Sequence, residues 1–227
     1  MISTTAISPI LTIPPLENGD KLTRHEFERR YHAMPNLKKA ELIEGVVYVA
    51  SPVRAKQHGK PHARIMGWLI AYEAATPGVE ALDNTTVLLD TDNEPQPDAL
   101  LRIETGGQSR INKDDYVEGA PELIVEIAAS SASYDLHEKL KVYRRNQVQE
   151  YLIWRVYDHQ FDWFRLQQGE YIQLQANADN IICSQIFPGL WLDKIALLGG
   201  DLGTVLAVLQ QGLASPEHEN FISRLSS

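Results

Sequence analysis

Apolar positions along this chain switch between a helical period and a strand period, and the switches mark its elements. Residues 1–20, rich in Ser, Thr and Pro, read as an irregular arm. Thr23 and Glu26 then stand at capping-box spacing and open a helix over "LTRHEFERRY". "KKAELIEGVVYVAS" reads as a strand pair turning at Gly45. In "HGKPHARIMGWLIAYEAATPG", Pro61 suits a first helical turn, Ile65, Leu69 and Tyr72 make an apolar stripe, and Pro77-Gly78 stops the helix. "TTVLLD" and "PDALLRI" are short strands around the acidic turn "TDNEPQ", and "PELIVEIA" is a third. Ser133 suits the cap of a helix "YDLHEKLKVYRRN" that buries Leu136, Leu140 and Tyr143. "EYLIWRVY", "QFDWFRLQ" and "YIQLQ" form an antiparallel meander, with Trp154, Trp163 and Trp191 as core. Two helices end the chain, the second capped by Ser215 with Pro216 behind it.

The central order is helix, three strands, helix, strand, which predicts a mixed α/β (α+β) fold whose last strand joins the sheet after a helical crossover. At 227 residues one core is expected: a domain over 21–200, with 201–227 as its C-terminal helical extension. Hydrophobic residues at 44% and charged ones at 22% are ordinary for a globular chain. No apolar run is long enough to span a bilayer, and the N-terminus lacks a basic region before an apolar core, so a cytoplasmic setting with no membrane partner is expected. Cys183 stands alone, which excludes an intrachain disulfide and a multi-cysteine zinc cage. The net charge of −9 excludes an overall basic excess, so nucleic-acid binding would need a local basic patch or bound cations.

Within "PELIVEIA", alternation puts Leu123, Val125 and Ile127 on one face and Ile124, Glu126 and Ala128 on the other. A carboxylate in that setting is costly unless it is paired or bound to a metal. Asp98, after Pro97, opens the preceding strand. Two carboxylates from neighbouring strands, with the Ile127 carbonyl beside Glu126, make an oxygen donor set suited to Mg2+, with Mn2+ as a substitute. A lysine that orients water or offsets phosphate charge would stand at 128 on the Glu126 face, but that residue is Ala128. The following helix offers Lys139, four residues after Asp135, which could position it. Singly, each residue has a plainer reading: a strand-start aspartate, an edge glutamate, a solvated helix pair.

"EPQPDALLRI" followed by "GAPELIVEIAASSASYDLHEKLKVYRRNQVQEYLIW" resembles the Uma-two restriction-endonuclease family of the PD-(D/E)XK nuclease superfamily, and "AELIEGVVYVASPVRAKQHG" matches its N-terminal block. The likeness covers most of residues 22–200. It implies a restriction-endonuclease-like central sheet flanked by helices, here with an added meander. It also implies metal-dependent DNA cleavage, with Asp98 and Glu126 at the two acidic motif positions and Lys139 as a lysine moved to the helix. Glu41 and Glu44 match acidic positions of the first block, where either could approach the metal. Duplex cleavage by this fold commonly uses paired subunits, so a homodimer is expected, with "FDWFRL" and "GLWLDKIALL" as spare apolar surface.

His58 and His62 have zinc-ligand spacing without a third ligand, which favours a surface position, although His58 remains a supporting candidate beside the acids. No cofactor-binding loop is found, since "GGQSR" lacks the lysine and hydroxyl of a phosphate loop. The reading is thus a magnesium-dependent endodeoxyribonuclease. The rival is a non-catalytic module of the same fold that binds a protein or nucleic-acid partner. Two acids facing one cleft would repel, so their replacement is expected to hold or raise stability.

Overall fold

In the computed structural model, described for residues 13–50, 54–129 and 135–226, a six-stranded sheet lies between layers of helix. At Asp135 and Leu136 the description is of the backbone alone. The chain enters through α1 (Arg24–His32), where the Thr23 hydroxyl accepts the Glu26 N–H as the capping spacing predicts. β1 (Ala40–Ile43) and β2 (Val46–Val49) form the predicted hairpin, and Glu44 and Gly45 take the two positive φ values that its tight turn demands. Leu16 of the arm packs under this hairpin with Phe27. A π-type turn over Ala55–Gly59 leads into α2 (Lys60–Glu73), which buries Ile65, Trp68, Leu69 and Tyr72.

β3 (Val79–Asp83), β4 (Val87–Leu88), β5 (Ala99–Ile103), β6 (Arg110–Ile111), β7 (Val117–Glu118) and β8 (Leu123–Ala128) follow. A second π-type turn, Asp135–Lys139, opens the short α3 (Leu140–Arg145), and β9 (Glu150–Arg155) returns parallel to β8. β10 (Gln160–Gln167) and β11 (Glu170–Gln173) complete the meander. β12 (Ile181–Cys183) and β13 (Trp191–Asp193) form a small hairpin before α4 (Lys194–Gly199), α5 (Leu202–Leu213) and α6 (Pro216–Leu225). The main sheet runs β11-β10-β9-β8-β5-β3, while β4, β7 and β6 make a separate three-stranded sheet.

The β8 alternation divides the core as the sequence predicts. Leu123, Val125 and Ile127 pack with α2 on one face, where Val205, Leu209 and Phe221 of the terminal helices join them. Ile124 and Ala128 pack with Leu100, Tyr143, Tyr151 and Ile153 on the other. Each large side chain removed from water here contributes about 2 kcal/mol. The predicted cap Ser133 lies outside the described residues, as does the side chain of Leu136.

The structure corrects three expectations. The first strand of the central order is β3, an edge strand with only Val79 buried and so a faint alternation, whereas β4, within "TTVLLD", lies in the separate three-stranded sheet. β10 carries "FDWFRL", and β13 and α4 carry most of "GLWLDKIALL", the two stretches expected to be spare surface. Phe161, Trp163, Leu190, Leu192 and Leu197 are buried within the core, while Ile195 stays exposed. Trp154 and Trp163 are core, while Trp191 is half-buried.

Residues 92–96 dock the hairpin beside the main sheet. Leu42 and Glu94 exchange both backbone hydrogen bonds, and the Glu44 N–H donates to Asn93 Oδ1. Glu94 is itself buried, and its Oε2 finds no hydrogen-bond partner. Burial, then the nearby Glu28 carboxylate, pushes its pKa up to about 8, against the pull of Arg24. The folded chain therefore holds a proton that the unfolded chain releases near pH 4.5, and stability should fall as pH rises from there to about 8. Replacing Glu94 with Gln keeps the neutral form, so urea unfolding at pH 8 should show a gain of about 1–3 kcal/mol and a flatter pH profile. An unchanged profile would place the titrating proton elsewhere.

Candidate active site

The register of β5 on β8 pairs Ala99 with Val125, which sets Asp98, one residue before β5, opposite Glu126. Both acids are almost fully buried, at 4% and 3% exposure. Asp98 closes the end of the ladder with its side chain: Oδ2 accepts the Ile127 N–H at 2.7 Å. Its Oδ1 lies 3.1 Å from His58 Nε2 and 3.6 Å from Lys39 Nζ. Burial alone would raise this carboxyl. The His58 hydrogen bond, the Lys39 charge and the Ile127 N–H outweigh it and hold Asp98 well below the usual carboxylate range. Asp98 is thereby kept ionised.

Glu126 has a different partner set. Its Oε1 accepts from Lys139 Nζ at 2.8 Å and from the Tyr143 hydroxyl at 2.8 Å. Lys139 Nζ also donates to Glu41 Oε1 at 2.9 Å, and that oxygen accepts the Gln96 N–H at 2.8 Å. Lys139 is only 2% exposed, so its ammonium is clamped between two carboxylates from β1 and β8. Ala128, on the Glu126 face, is fully buried in the packing that surrounds Tyr143.

Lys139 contacts Glu41 among the described side chains, and the side chain of Asp135, expected to position Lys139, lies outside them. Glu44 is not brought to the cluster: it sits in the hairpin turn and pairs with Arg145 at 2.7 Å. The surface reading of His58 and His62 fails, since their side chains are 19% and 15% exposed. His62 Nε2 lies 2.8 Å from the Asp98 carbonyl oxygen and 2.9 Å from Asp83 Oδ1. Lys39, His62, Gln96 and Tyr143 are neighbours that the sequence reading did not assign to the site. Lys39 had a usable signal, because it stands two residues before Glu41 and strand alternation puts both on one face.

The donor set suits a hard divalent cation. Asp98 and Glu126 offer carboxylate oxygens from facing positions, and Asp98 is ionised. The Ile127 N–H points towards the β5 side, and in an antiparallel ladder the carbonyl of the same residue points there too. The position it would meet is Pro97, which has no N–H to give. Among the described residues no three His, Cys, Asp or Glu side chains group as a metal cage. An ion held by two carboxylates and one carbonyl would keep its other positions for water or phosphate oxygens, as magnesium does.

Comparison with known proteins decides the family. The family described as "Uma2: Putative restriction endonuclease" matches residues 25–196. The chain belongs to the Uma2 family. Its fold is similar to the crystal structure of a protein from Anabaena variabilis ATCC 29413, described as a putative nuclease of the DUF820 group, with a TM-score of 0.54. That likeness covers 80% of this chain and 97% of the other at 12% identity, so it speaks for the fold. Among curated proteins nothing matches the chain. No helix among the described residues of this Uma2 protein is long and apolar enough to cross a membrane.

Proposed function

We propose that this Uma2 protein is a divalent-metal-dependent endonuclease that hydrolyses DNA phosphodiester bonds. The observation that carries the reading is the contact between Lys139 Nζ and Glu126 Oε1, opposite Asp98, which assembles two acids and a lysine although position 128 is alanine. Asp98, Glu126 and the Ile127 carbonyl are the groups that would hold Mg2+, or Mn2+ in its place. When bound, the ion lowers the pKa of a water and offsets charge developing on the phosphate. Lys139 presents a fixed N–H donor to the attacking water or to a phosphate oxygen. Glu41 and Tyr143 act as positioning residues by fixing the Lys139–Glu126 pair. The family match supports nuclease chemistry; the metal, the DNA substrate and a cytoplasmic setting belong to this proposal.

The rival reading, a binding module without catalysis, draws on the burial of Lys139, which resembles a structural ion pair. Wild type should nick supercoiled plasmid with manganese, and calorimetry should find a millimolar or tighter manganese site. Glu126→Gln should lose both while keeping a folded circular-dichroism spectrum. Manganese binding and nicking absent from wild type would favour the module. A two-fold dimer is also proposed, on the need to reach both strands of a duplex; a monomer mass by light scattering across micromolar concentrations would remove it.

A further inference from the structure

Between Gly45 and Tyr72 the chain carries no aspartate or glutamate, although it holds 30 of them in 227 residues. The same stretch contains Arg54, Lys56, Lys60 and Arg64 together with His58 and His62. Elsewhere the cations are largely neutralised: Lys141 pairs with Glu138, Arg144 with Glu170, and Arg145 with Glu44 and Asp90. Arg54, Lys56 and Lys60 are exposed, and among the described residues they form no ion pair. They flank His58, whose ring touches Asp98, so the π-type turn that carries them is fixed at the acidic site. His58, Pro61, His62 and Ile65 face inward, and Lys56 and Lys60, four residues apart, face out.

We infer that Arg54, Lys56 and Lys60 form a phosphate-binding ridge that seats the nucleic-acid backbone beside Asp98 and gives an acidic protein its affinity for a polyanion. The inference rests on the nuclease reading for its choice of polyanion, and its chemistry is phosphate neutralisation without base recognition. Each phosphate contact releases counterions, so log K falls with log salt by about 0.9 per contact on duplex DNA. Three contacts would contribute about 2.7 to that slope.

The test is fluorescence anisotropy of a labelled 20-base-pair duplex with the full chain and calcium, titrated from 50 to 200 mM salt. Arg54→Gln/Lys56→Gln/Lys60→Gln should bind at least about tenfold more weakly at 100 mM salt, with the salt slope reduced by about 2–3. Lys21→Gln/Lys113→Gln, which removes exposed charge elsewhere, should bind within twofold of wild type. Equal affinity and slope in the triple variant would overturn the ridge. Failure of wild type to bind DNA, or displacement of DNA by polyglutamate as readily as by unlabelled duplex, would overturn it as well. Manganese-dependent nicking is scored separately. A triple variant that binds like a wild type that still nicks defeats the ridge alone, and a ridge-dependent protein that never nicks defeats the nuclease reading alone.

Discussion

Lys139→Ala is expected to stop manganese-dependent plasmid nicking while leaving manganese affinity within a few-fold of wild type. Lysine serves as a donor and a charge beside the site and is not a ligand of the ion, so binding and turnover should separate. The change also removes the cation shared by Glu41 and Glu126, both buried. Leaving buried carboxylates without their partner costs about 3–5 kcal/mol in the general case. Here the Tyr143 hydroxyl and the Gln96 N–H remain, so about 2–4 kcal/mol is expected by urea unfolding. A second variant separates charge balance from chemistry. Glu41→Gln/Lys139→Ala removes one acid with the lysine and should recover part of the stability without recovering nicking. Lys141→Ala, which loses only a surface contact with Glu138, should nick nearly as wild type does. A Lys139→Ala protein that nicks at the wild-type rate would end the displaced-lysine mechanism.

Asp98→Asn should abolish manganese binding and destabilise the protein, reversing the expectation drawn from sequence. Two repelling acids suggested that replacement would be neutral or stabilising. The structure gives each acid attractive partners, the Lys39 ammonium and the His58 ring for Asp98 and the Lys139 ammonium for Glu126, so removal breaks attraction. A loss of about 1–3 kcal/mol at pH 7 is expected. The pH dependence gives a second readout. Asp98 is held below its ordinary range, so its contribution is complete above about pH 4 and disappears as pH falls through the folded value. Acid titration of Asp98→Asn should therefore lack part of the wild-type loss below pH 4. Equal acid limbs in the two proteins would mean that the Asp98 contacts carry no net stability.

Strong periodicity made much of this architecture legible. The Leu123–Ala128 alternation gave both sheet faces, Thr23 and Ser215 gave helix starts, and the helical crossover gave the parallel β8–β9 pair. Most elements of two or three residues were not legible, because β6, β7, β12 and β13 are too short to show a period. Among site residues, Asp98 and Glu126 could be found because each is an acid at a strand position where burial is costly. Lys139, Glu41 and His58 were legible as candidates, but their pairings were not, since those contacts join residues distant in sequence: Lys139 meets Glu41 across 98 positions, and His58 meets Asp98 across 40. The two π-type turns were also hidden. Each inserts its extra residue just before the helix, at Ala55–Gly59 and Asp135–Lys139, and so sets where His58 and Lys139 point. Angles taken with a uniform α-helical step from Asp135 to Lys139 do not hold across such a turn.

The most direct measurement is a crystal structure soaked with manganese and recorded at a wavelength that reveals the ion. The account predicts one anomalous peak at the end of β5 and β8, about 2.1 Å from oxygens of Asp98, Glu126 and the Ile127 carbonyl, with the remaining positions taken by water. Lys139 should still touch Glu126, and Lys39 should have drawn back from Asp98. No peak at millimolar manganese, or a peak bound by other residues while the Lys139 clamp stays closed, would contradict the two-carboxylate site.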